Sequence, residues 1–187
     1  MSTNQEKSFT ATLTTSAGHL HLPYLTNNRK ILAPKTGYDP FSFESQREIS
    51  NYLCVSNNAP ASQLTFYFRC IDDYYSIYVM TNRTYHNRAL SNEDEDFISA
   101  HPYDDDQTTY NLLSGGKIVT MDQLQGDSMT LRIQTRGGRT LHVKPFLYKN
   151  KPHQRTQEQA GQAVCTGKKG GVPLDFRLNI LQRNILL

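Results

Sequence analysis

The sequence predicts an all-β protein, and three observations carry that prediction. Short runs alternate apolar and polar residues along the whole chain. No stretch of about a dozen residues keeps an apolar stripe at the helical period with a cap at each end. A hairpin-like pattern also recurs three times, at comparable spacing. The length of 187 residues suits one ordinary domain, 1–187, with a core of useful size.

The strands can be justified in order. Phe9 to Leu13 alternates, turns at Ser16-Ala17-Gly18, and resumes as Leu20-His21-Leu22. Phe41-Ser42-Phe43 alternates again. Leu64 to Phe68 turns at Asp72-Asp73 and continues as Ile77-Tyr78-Val79. Met129 to Ile133 turns at Gly137-Gly138 and continues as Leu141-His142-Val143, and Phe176-Arg177-Leu178 closes the series. Period-2 alternation puts the outer residues of each triplet on one face and the middle one on the other. His21, Tyr78 and His142 are therefore expected to point outward from a common core.

Aligned on these hairpins, the chain divides into three degenerate repeats, about 9–56, 64–114 and 129–182. Each hairpin is followed by a polar Asn-bearing turn, then by an Asp shortly before a Phe: Asp39 and Phe41, Asp96 and Phe97, Asp175 and Phe176. The third repeat is longer, which the spacing assigns to an inserted loop at 149–171. One unit of about four short strands cannot cover both faces of its own hairpins. Three units around a pseudo-threefold axis can form a six-stranded barrel with a hairpin cap, which is the β-trefoil. A β-sandwich or jelly roll is the alternative reading of the same strands.

The spacing from Phe9 to Leu181 resembles β-trefoil proteins at the level of fold. That class includes ricin-B-like lectins, mycocypin-type and Kunitz-type protease inhibitors and fascins. The Gln-x-Trp motif of the ricin-B group is missing, because the chain has no Trp. The resemblance therefore implies the frame without implying galactose recognition of the ricin type.

Composition narrows the function classes. Twenty Lys and Arg against 17 Asp and Glu give a net charge of +3, too weak and too dispersed for a nucleic-acid surface. The hydrophobic fraction of 37% and the lack of a long apolar run argue for a soluble chain without a membrane span. The first 25 residues lack a signal-peptide apolar region, so the expected location is the cytoplasm, or outside after release by an unconventional route. Three cysteines, Cys54, Cys70 and Cys165, carry no pair at redox or zinc spacing. Cys54 and Cys70 lie in apolar runs and are expected to be buried, whereas Cys165 sits in a Gly/Lys-rich stretch and is expected in an exposed loop. The acidic runs 93–96 and 104–106 lack calcium-loop spacing. His19 and His21 share a strand face, but the repeat pattern accounts for His21 as an outward residue, so no metal and no cofactor is expected.

No nucleophile elbow, phosphate loop or zinc-protease motif occurs, and no catalytic residues are assigned. The expectation is a non-enzymatic binding protein, first of all a lectin-like carbohydrate binder. Sugars call for planar apolar faces and for amide groups that grip hydroxyls. The turns after the hairpins carry such residues: Asn82, Tyr85, His86 and Asn87 in the second repeat, Tyr24, Asn27 and Asn28 in the first, Tyr148, Asn150 and His153 in the third. The alternative is a protease inhibitor or other protein-binding module that presents the 149–171 loop to a protein surface.

Overall fold

The computed structural model describes residues 2–23, 32–34, 46–60, 62–80, 85–92, 96–102, 107–148, 159–166 and 172–187. Within them the chain is all-β, and six strands close a barrel. These staves are β1 (Phe9–Thr15), β6 (Thr65–Ile71), β7 (Tyr74–Val79), β10 (Tyr110–Ser114), β12 (Ser128–Thr135) and β16 (Phe176–Arg183). Every neighbouring pair is antiparallel: β1 with β6, β6 with β7, β7 with β10, β10 with β12, β12 with β16, and β16 back to β1. The order around the ring is the order along the chain. Closure leaves no stave with an open edge, which a strand in an open sheet would have.

Alternation fills the interior. Ala11 and Leu13, Phe66 and Phe68, Ile77 and Val79, Leu131 and Ile133, and Phe176 and Leu178 all belong to one buried cluster. Leu20 and Leu141 belong to it too, so the inward residues of the three predicted hairpins share one core. At one end of the barrel the Phe9 and Phe68 rings stack 4.5 Å apart, and Tyr75 meets both edge-on. A single helical turn, α1 (Asn4–Lys7), and a 3-10 turn at Met121–Gln123 lie beside this end. Thr3 and Glu6 form a reciprocal capping box on α1, and Lys7 is ion-paired with Asp73. Met121 enters the core, and its backbone N–H donates to the buried Tyr75 hydroxyl at 2.9 Å.

At the other end three strand pairs leave the barrel: β2 (Gly18–His21) with β5 (Cys54–Ser56), β8 (Arg88–Asn92) with β9 (Ile98–His101), and β13 (His142–Tyr148) with β14 (Gln159–Cys165). Their second strands meet around a common point. Leu53 N–H donates to the Ile98 carbonyl, Val164 N–H to that of Leu53, and Thr166 N–H to that of Asp96, each at 2.8 Å. Over this junction lies a second cluster of Ile49, Tyr52, Cys54, Phe97, Phe146, Ala163 and Cys165. Tyr52 stacks on Phe97 at 5.1 Å, and Phe146 meets Phe97 edge-on. Short strands complete the count: β3 (Leu32–Pro34) pairs with β4 (Gln46–Glu48), β11 (Lys117–Val119) with β10, and β15 (Val172–Pro173) with β13.

Four sequence expectations change here. The stretch 149–171 is not one loop, because 159–165 form β14, paired with β13 along its length and buried at Ala163, Val164 and Cys165. Cys165 accordingly lies in the cap core at 2% exposure, not on a surface loop. The pattern β6–β7 is not equivalent to β1–β2 or β12–β13, since β6 and β7 are both staves whereas β2 and β13 leave the wall. Tyr78 points out of the barrel as expected but is covered, packed with Tyr67, Ala89, Met80 and Ile185 in a small outer cluster.

Candidate functional site

The turn after β7 places its described residues in two environments. Tyr85 is 2% exposed, and its hydroxyl donates to Asn51 Oδ1 at 2.8 Å. The Arg88 guanidinium lies 5.0 Å over its ring. That ring is therefore part of the framework and offers no face for stacking on a sugar, a correction to the sequence reading. His86 is exposed, with Nδ1 3.0 Å from the Met80 carbonyl oxygen. Asn87 is exposed in the left-handed region, φ +60°, which fits the tolerance of Asn for that backbone. Tyr148 ends β13 with its backbone opposite Gln159. Tyr24, Asn27, Asn28, Asn82, Asn150 and His153 lie outside the described residues.

A different site assembles on the outer wall of the barrel. Cross-strand partners in an antiparallel sheet point to the same side. His19 of β2 pairs with Thr14 of β1, Thr14 pairs with Arg177 of β16, and Arg177 pairs with Thr130 of β12. One row of side chains thus reads His19, Thr14, Arg177, Thr130. Two residues along, the next row reads Thr65, Thr12, Asn179, Ser128. The segment after β5 stands beside these rows, set by Asn58 N–H donating to the Ser56 hydroxyl at 3.1 Å. Between wall and segment is a cleft of about 480 Å³, lined by Thr14, His19, Ala59, Pro60, Gln63, Arg177 and Asn179. That is large enough for a small ligand. One wall is apolar at Ala59 and Pro60, and the floor carries hydroxyl, amide, imidazole and guanidinium groups.

Among the described residues, Thr14, His19, Gln63 and Asn179 have no side-chain hydrogen-bond partner, and Arg177 has one, its Nε donating to Ser128 Oγ at 3.3 Å. A second cleft of about 430 Å³ lies by β12 and the Gly115-Gly116 turn. Its cation is already satisfied, because Arg132 Nε donates to Asp175 Oδ1 at 2.8 Å.

Among the described residues elsewhere, burial sets most of the shifts of titratable groups, and Ser99 Oγ lies 2.6 Å from His101 Nε2. Burial pushes the Cys54 and Cys70 thiols up, and desolvation does the same to the Tyr75 and Tyr110 phenols. Burial holds the His21 imidazole below its ordinary value. The Thr120 hydroxyl lowers the Asp122 carboxyl, with Ser2 adding to the effect. Among the described residues no three His, Cys, Asp or Glu side chains group as metal ligands, and no helix is long and apolar enough to cross a membrane. Comparison with known proteins finds no matching family model, no matching curated protein and no matching solved structure.

In sequence, His19 stands out only as half of a possible metal clamp, and Thr14, Gln63, Arg177 and Asn179 do not stand out as site residues. These residues come from four separate segments, so no local motif joins them. The one signal available was the polar side of the alternation in β1 and β16, whose apolar side had been read as core.

Proposed function

We propose that this chain is a non-enzymatic carbohydrate-binding protein on a β-trefoil frame. The frame reading is supported by the chain-ordered ring of six staves and by three strand pairs converging at one end. On this reading the units run 9–71, 74–114 and 128–183, and the second starts one strand later than its sequence pattern suggests. The binding reading rests on one observation: an outer cleft with unpartnered amide, hydroxyl and imidazole groups beside an apolar wall. Sugars present paired hydroxyls on one edge and C–H groups on a face, which suit those two surfaces. His86 and Asn87 remain a second exposed position for the same chemistry.

The test is a glycan array followed by titration calorimetry on the best binders. The double variant Gln63→Ala/Asn179→Ala should weaken binding by about tenfold or more, since each lost hydrogen bond is worth roughly 1 kcal/mol. Absence of glycan binding at tens of micromolar, together with tight inhibition of a protease, would overturn the reading in favour of a protein-binding module.

A further inference from the structure

We infer that the outer cleft selects sugars bearing an anionic group, a sulfate ester or a carboxylate. The inference deepens the carbohydrate reading and rests on it. Its basis is the charge balance of the cleft. Neighbouring arginines on the same two staves are neutralised: Arg132 by Asp175, and Arg183 by Asp127 at 3.2 Å. Arg177 has no carboxylate partner among the described residues, and no acidic side chain lines its cleft. Its cross-strand neighbours on both sides are threonines, Thr14 and Thr130. The Nε contact to Ser128 draws the guanidinium toward the next row, the one that holds Asn179, and occupies one of five donors.

A guanidinium presents its donors as a planar fork that fits two oxygens of an oxyanion. Around it the Thr14 hydroxyl, the amides of Asn179 and Gln63 and the His19 ring supply further hydrogen-bonding groups. Neutral sugars would satisfy the amides but leave the arginine charge uncompensated. An acidic sugar uses both, and the Ala59–Pro60 wall takes the apolar face of its ring. The second cleft makes the contrast within one molecule: there an internal carboxylate already occupies the arginine.

The experiment compares matched probes by calorimetry: sialyllactose against lactose for the carboxylate, and galactose sulfate against galactose for the sulfate ester. The full chain should bind at least one acidic probe about tenfold more tightly than its neutral counterpart, with affinity falling as salt is raised. Arg177→Gln should reduce that ratio to near one, Arg177→Lys should retain part of it, and Arg132→Gln should leave it unchanged. Equal affinity for acidic and neutral probes, or a ratio indifferent to Arg177→Gln, overturns the anion preference and leaves the carbohydrate reading standing. Binding of none of the four probes, with a blank glycan array, overturns both. A far-UV spectrum of each variant confirms that the sheet is intact.

Discussion

Gly18 shows how one residue sets the exit of a strand from the barrel. Its φ is +132°, and a Cβ placed there would lie 2.5 Å from the Ser56 carbonyl oxygen, a backbone atom that cannot swing away. Gly18→Ala is expected to cost about 2–4 kcal/mol, from left-handed strain and a steric clash together. Gly116 shares a positive φ of +79° but has open space around it. Gly116→Ala should therefore lose only about 1 kcal/mol. Denaturant midpoints of the two variants check the difference, and equal losses would deny the role of the Ser56 contact. A similar crowding recurs in the cap, where a Cβ on Gly161 would meet the Phe146 ring at 2.6 Å, but there the obstacle is the far end of a side chain. Such positions escape a reading of periodicity, which treats glycine only as a break.

Elements explain which parts of the fold were legible. Alternation identifies these staves because each sends alternate residues into the barrel core: Leu13, Phe66, Ile77, Ile133 and Leu178 are all readable as inward residues. Alternation does not say whether the next strand stays in the wall or climbs into the cap. The β6–β7 turn and the β1–β2 turn therefore look alike in sequence, although β6 and β7 both stay in the wall and β2 leaves it. The strand β14 was hidden for another reason. Its sequence Gln159-Ala160-Gly161-Gln162-Ala163-Val164-Cys165 is poor in residues that favour strands, and its place is fixed by pairing with β13 and β5. The cleft was illegible because cross-strand register, not sequence distance, makes His19, Thr14 and Arg177 neighbours. The 3-10 turn at Met121 supplies a prediction at this scale. Tyr75→Phe removes the acceptor of the Met121 N–H and leaves a buried donor unpaired. The expected loss is about 1–3 kcal/mol, read as a lower urea midpoint with unchanged slope. An unchanged midpoint would mean that this turn does not need its anchor.

Across the whole molecule the barrel and cap cores are joined through Leu53, Val164 and the strands that carry them, so the two should melt together. The cysteines report on this directly. Cys70 lies in the barrel cluster, while Cys54 and Cys165 lie in the cap cluster, and all three are buried. None should react with a water-soluble thiol reagent under native conditions, and in dilute denaturant all three should label at one common rate set by global opening. Rapid reaction of Cys54 and Cys165 with Cys70 still protected would show that the cap opens alone.

The pairing of Phe9 with Arg183 has a consequence for how the chain is made. The first stave to leave the ribosome is held between the second and the last, so one of its two edges waits until the sixth stave has been made. Until Phe176 to Arg183 emerges, that edge is available to any other extended segment nearby. The threonines at 10, 12 and 14, which face away from the barrel core, keep the waiting strand polar on one side through that interval.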